Sequence, residues 1–143
     1  MRVFLDTNVL ASAFGTRGLC ADVLRVILGE HELVTGEVVI EELRRVLSRK
    51  FDLPADAVKE IESFLRGYHV EPEPRRLPDL DLSERGDLMV VGSAINAKAE
   101  VLITGDREML DLKKKPEGLR IISPRDFWNL ATRPAPRKRP LRR

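Results

Sequence analysis

The chain has 143 residues, enough for one domain with a real core, and 43% of them are hydrophobic, an ordinary share for a globular protein. No apolar stretch reaches the roughly 18 residues that would span a membrane. A single cysteine, Cys20, excludes an internal disulfide and a Cys-rich zinc site, and two histidines, His31 and His69, argue against a His-rich one.

The start of the chain lacks the basic, apolar and small-residue pattern of a signal peptide, so a cytoplasmic protein is expected. Charged residues reach 34% and Gln is absent, a hint of a thermophilic source. The net charge of +2 hides an asymmetry. Residues 131–143 hold Arg133, Arg137, Lys138, Arg139, Arg142 and Arg143 and no acid, which leaves −4 on the first 130 residues. Pro134, Pro136 and Pro140 oppose regular structure there. This tail reads either as a solvated, disordered end or as an arm that contacts nucleic-acid phosphates or an acidic protein. The division is a domain over residues 1–130 and a basic, proline-rich tail over 131–143.

Arg2-Val3-Phe4-Leu5 is a short apolar run that predicts a central, buried strand. It ends in Asp6-Thr7-Asn8 and turns helical through Val9, Leu10, Ala11 and Ala13. After the turn Gly15-Thr16-Arg17-Gly18, the positions Cys20, Val23, Leu24, Ile27 and Leu28 repeat with helical spacing as far as Gly29. Cys20 on that apolar face is expected to be a buried structural thiol. Residues 32–35 predict a brief strand, and Gly36 opens a third helix carrying Val39, Ile40, Leu43, Val46 and Leu47. Pro54 suits the first turn of a fourth helix, with Val58, Ile61, Phe64 and Leu65 inward and Gly67 closing it. Tyr68-His69-Val70 reads as a strand, followed by a loop through Pro72, Pro74 and Pro78. A long helix is predicted from Ser83 to Lys98, then a strand over 101–104 that ends in Gly105-Asp106 and a short helix. Arg120-Ile121-Ile122 is the last strand, and Ser123 starts a final helix through Phe127, Trp128 and Leu130. Such alternation predicts a three-layer α/β/α fold around a mostly parallel sheet of about five strands.

Helical phase sorts the acids. At about 100° per residue, Val39, Ile40, Leu43, Val46 and Leu47 form one arc. Glu42 lies at its edge beside Val46, and Glu41 projects from nearly the opposite side. Asp87 stands one turn before Val91 and two before Ala94, on the inward side of the long helix. Asp6 and Asp106 follow two apolar strands, so neighbouring strands would bring both carboxylates to one end of the sheet. Asp6, Glu42, Asp87 and Asp106 can therefore converge. At ~5 Å and an effective dielectric of about 20, each ionised pair costs roughly 3 kcal/mol. A divalent cation offsets that repulsion, and an all-oxygen ligand set favours Mg2+ or Mn2+ over zinc. Such a site implies phosphodiester or phosphoryl chemistry.

Each acid alone has an ordinary structural explanation. Asp6 and Asp106 suit helix N-caps, Glu42 can pair with Arg45 or Arg17, and Asp87 can cap a helix or pair with an arginine. The arrangement is the signal.

On these residues the chain resembles the PIN domain family, most closely its prokaryotic VapC-like toxins. The resemblance runs from Asp6-Thr7-Asn8-Val9-Leu10, through Val39-Ile40-Glu41-Glu42-Leu43, to Asp87, Ala94, Ala99 and Thr104-Gly105-Asp106, and covers the chain to about Leu130. By it, Asp6, Glu42, Asp87 and Asp106 match the family's four metal-site and catalytic acids, and Asn8 and Thr104 match supporting polar residues. Two departures stand out. Gly36 replaces a frequent Ser at the start of the third helix, and Glu84-Arg85-Gly86 replaces a segment that often carries a further Asp. The resemblance implies an Mg2+- or Mn2+-dependent ribonuclease, the toxin of a toxin–antitoxin pair, which forms a homodimer and is silenced by an antitoxin protein. A phosphatase with Asp6 as nucleophile commonly needs a second Asp two residues on, where this chain has Asn8. The non-enzymatic alternative is an RNA- or protein-binding module that retains the fold.

Overall fold

The computed structural model describes residues 1–133. Of the basic tail, Arg133 is described and exposed, whereas Arg137, Lys138, Arg139, Arg142 and Arg143 lie outside the described residues. Each strand feeds helix. β1 (Arg2–Leu5) leads into α1 (Thr7–Gly15) and α2 (Leu19–Glu30), and β2 (Glu32–Gly36) into α3 (Glu37–Arg49) and α4 (Ala55–Leu65). β3 (His69–Glu71) leads into α5 (Arg85–Asn96), β4 (Val101–Ile103) into α6 (Arg107–Leu110), and β5 (Arg120–Ile122) into α7 (Pro124–Ala131).

Among the described residues, five strands pair in parallel in the order β3-β2-β1-β4-β5. The sheet is the middle of three layers. β1 is central, and Val3, Phe4 and Leu5 are fully buried, as a strand covered by helices on both faces requires. Phe4 stands level with Val34 on one neighbour and Leu102 on the other. α5 covers that face so closely that a Cβ on Gly36 would sit 3.2 Å from the Ser93 Cβ and 3.5 Å from the Phe4 ring. The missing Ser at position 36 thus has a steric reason: Gly36 caps α3 without a side-chain bond and leaves room for α5. Next to Ser93 on α5, Gly92 plays the same part for the proline loop, since a Cβ there would meet Pro78 at 3.3 Å and Pro74 at 3.4 Å.

Several boundaries differ from the sequence reading. α5 starts at Arg85 instead of Ser83, because the Ser83 amide and hydroxyl are held by the Glu108 carboxylate. It ends at Asn96, and Lys98 takes a left-handed φ of 57° that no helix continues. Pro54 is the N-cap of α4 and not a member of its first turn. Cys20 is half-buried, although burial still pushes its thiol pKa up. Phe64 is 41% exposed. Its ring packs edge-on against Phe14 and Tyr68, with centroids 6.1 and 5.4 Å away, at the rim of α4. Outside, Arg66 bridges Glu37 and Glu62, and Arg44 also reaches Glu62, which ties α3 to α4 at modest gain per pair.

One buried group in the sheet is uncompensated. The Thr35 hydroxyl, in β2, is fully buried and makes no hydrogen bond. A buried hydroxyl without a partner costs about 1–3 kcal/mol. Thr35→Val should therefore raise stability by about 1 kcal/mol, read as a higher midpoint in urea denaturation. A lower midpoint would show that the hydroxyl is satisfied.

Candidate active site

The strand order reverses between β1 and β4. After β1 the chain moves outward through β2 and β3, then crosses back to place β4 on the other side of β1. Such a reversal opens a crevice at the carboxyl ends of the strands. The pairing continues past both strand ends: the Asp6 amide donates to the Ile103 carbonyl at 2.9 Å and the Thr104 amide to the Ile122 carbonyl at 3.0 Å.

Asp6 is 7% exposed and held from two sides. Its Oδ1 accepts from the Thr7 amide at 2.8 Å, capping α1, and its Oδ2 accepts from the Thr104 hydroxyl at 2.7 Å. The Thr104 Oγ1 in turn accepts from the Asp106 amide at 3.0 Å. Asp106 caps α6 through its Oδ1, which accepts from the Glu108 amide at 2.8 Å. Both strand-end acids are thus N-caps, as the ordinary reading had it, and Thr104 links them. Glu42 is half-buried and its Oε2 accepts from the Thr7 hydroxyl at 3.3 Å, whereas Glu41 is exposed. Asp87 lies in the first turn of α5, where the helix dipole favours an anion. Asn8 is exposed on the first turn of α1.

Electrostatics tie the four acids together. Burial pushes the Asp6 carboxyl above the usual carboxylate range, against the lowering bonds from Thr104 and Thr7, and the charges of Glu42 and Asp106 push it further. Desolvation, then the charge and hydrogen bond of Asp106, then the charges of Asp6 and Glu108, lift Asp87 to about 7. None of the salt bridges among the described residues involves Asp6, Glu42, Asp87 or Asp106. Among the described residues, no three His, Cys, Asp or Glu side chains form a group arranged to hold a metal ion. The acids sense one another without closing into such a cage. Their chemistry nevertheless fits a hard divalent cation: all donors are carboxylate oxygens and each is repelled by its neighbours.

Three contributors were not singled out in the sequence. Thr7 holds Glu42, while Glu108 and Ser83 join the α6 turn to the approach of α5. Thr7 was signalled only by its place beside Asp6, and Glu108 only by lying two residues beyond Asp106. The end of α7 lines a cavity with Met1, Glu30 and His31, at the amino ends of β1 and β2.

The PIN domain model matches residues 2–108, and the chain belongs to that family. A similar solved structure is the VapBC2 complex of Rickettsia felis bound to a DNA fragment from its promoter. The match has 16% sequence identity and a TM-score of 0.62, and it covers 86% of this chain and 98% of the other. That similarity confirms the three-layer fold. No curated protein matches the chain. No helix among the described residues is long and apolar enough to cross a membrane.

Two carboxyls with raised pKa make a signed prediction. The native state binds their protons more tightly than the unfolded chain does, so it loses stability as pH rises from about 4 through about 7. In a chelator, the wild type should melt at a lower temperature at pH 8 than at pH 5. Asp87→Asn, which is always neutral and still able to donate to Asp106, should flatten that dependence. A mutant with the same slope as wild type would rule out Asp87 as its source.

Proposed function

We propose that this protein is a metal-dependent endoribonuclease, the toxin of a toxin–antitoxin pair. The observation that carries the reading is that hydrogen bonds through Thr7 and Thr104 link Asp6 with Glu42 and Asp106, that Asp87 feels the charges of Asp6 and Asp106, and that no basic side chain among the described residues is paired to any of the four. Membership of the PIN domain family supports it. Asp6, Glu42, Asp87 and Asp106 would hold Mg2+ or Mn2+. Bound there, such an ion lowers the pKa of water to generate a nucleophile and stabilises charge on phosphate oxygens.

The chain's own residues prepare that chemistry. Thr104 and the Thr7 amide fix both oxygens of Asp6, so its carboxylate cannot rotate away. The Thr7 hydroxyl steadies Glu42 from the adjacent helix. Asp87, lifted to about 7 without a cation by burial and by the neighbouring carboxylates, would give up that proton when an ion binds. Asn8, exposed on the first turn of α1 two residues after Asp6, would serve as a supporting polar residue. The reaction breaks a phosphodiester bond of RNA.

The partners follow by likeness. The fold is similar to that of VapBC2 bound to a DNA fragment from its promoter, and the proposed toxin role brings with it an antitoxin partner and a homodimer. The basic residues Arg133, Arg137, Lys138, Arg139, Arg142 and Arg143 serve as an arm for RNA phosphates. A non-catalytic binding module is the second reading, and the absence of metal-stimulated cleavage would favour it.

Neighbouring glutamates test the proposal within one helical turn. Glu42→Gln should lower metal-dependent RNA cleavage by about 100-fold or more, the scale of removing a group that acts on transition-state charge. Glu41→Gln should leave it nearly unchanged. Equal effects from the two would contradict the assignment.

A further inference from the structure

α5 packs against β2, β3 and α3, whereas α6 packs against β5. Asp87 and Asp106 therefore stand on elements anchored in different parts of the molecule. Besides the hydrogen bond between the two carboxyls themselves, a second link joins their elements. The Ser83 backbone amide donates to one oxygen of Glu108, and the Ser83 hydroxyl donates to the other at 2.8 Å. The Glu108 amide donates to Asp106 at 2.8 Å. Ser83 lies four residues before Asp87, on the segment that leads into α5.

This pattern is specific. Both Glu108 oxygens are engaged by Ser83, so the carboxylate is turned toward the α5 approach. The same residue is tied through its backbone to the Asp106 carboxylate. A displacement of either segment would have to break one of these bonds.

We propose that Ser83 and Glu108 are positioning residues: their clip sets the separation of Asp87 and Asp106, and through it the metal affinity of the site. The inference rests on the reading of those two acids as metal ligands. Residues that orient ligands in this way typically contribute 10- to 100-fold in affinity or activity. Because the clip lies at the surface, its loss should leave the fold intact.

The test uses the full chain with Ser83→Ala, Ser83→Thr, Glu108→Gln and Glu108→Ala, and an exposed loop control, Glu117→Ala. Calorimetric titration with Mn2+ should give a Kd raised about 10-fold or more by Glu108→Ala. Ser83→Ala and Glu108→Gln, which each retain part of the clip, should show smaller increases, and Ser83→Thr should restore wild-type affinity. For RNA cleavage, kcat should fall while KM stays near its wild-type value. In the metal-free protein, the carboxyl carbon resonances of Asp87 and Asp106 should both move in Glu108→Ala and Ser83→Ala and stay put in Glu117→Ala. Wild-type Mn2+ affinity in every variant would overturn the proposal. So would a silent Ser83→Ala beside a strongly impaired Glu108→Gln, which would mean that Glu108 acts on the cation itself. A wild type that binds no Mn2+ would remove the metal-site reading, and unmoved metal-free resonances would separately remove the clip.

Discussion

The structure depends on a carboxylate that is buried where a central strand ends. Asp6 follows three fully buried residues and is itself only 7% exposed, so most of its charge has to be met locally. Two hydrogen bonds meet part of it, one from the first amide of α1 and one from Thr104 beyond the neighbouring strand. Those bonds oppose the effect of burial without cancelling it, and the carboxyl pKa stays raised. The other acids add to the load.

Capping and clustering are compatible here. Asp6 and Asp106 each close a helix start, a local contribution of typically ~1 kcal/mol. Each also faces a second acid supplied by a helix, Glu42 or Asp87, and those acids gain little by being there. A domain with only about 5–15 kcal/mol of net stability tolerates such an arrangement where it serves a purpose beyond folding. The topology explains why the purpose is local to this edge: β1 and β4 flank the reversal in strand order, and both strand-end acids border the crevice that results.

Much of this was legible in the residues. The apolar runs at 2–5 and 101–104 marked the central strands, the second one residue longer than β4, and alternation with amphipathic helices predicted a mostly parallel sheet. Helical phase separated Glu42 from Glu41 because α3 has a clear apolar arc, with Val39, Ile40, Leu43 and Leu47 buried in the structure. It placed Asp87 above the buried Val91 and Ala94 in the same way. Phase could not reveal contacts between separate elements. Ser83 reads as a good helix start, yet a carboxylate from α6, 25 residues on, competes for its donors. Phe64 fits the apolar stripe of α4, but its ring stays 41% exposed and packs edge-on against Phe14 and Tyr68.

The central claim is that the acids at this edge form a cation site that folding alone does not explain. The most direct measurement is a pair of thermal melts, with and without saturating Mg2+ or Mn2+, for wild type and Asp6→Asn. At about 100 times its dissociation constant the ion should stabilise wild type by roughly 2.7 kcal/mol, a shift of several degrees in Tm for a domain of this size, and Asp6→Asn should lose most of that gain. A wild type whose Tm is indifferent to the ion, or a mutant that gains as much as wild type, would contradict the account.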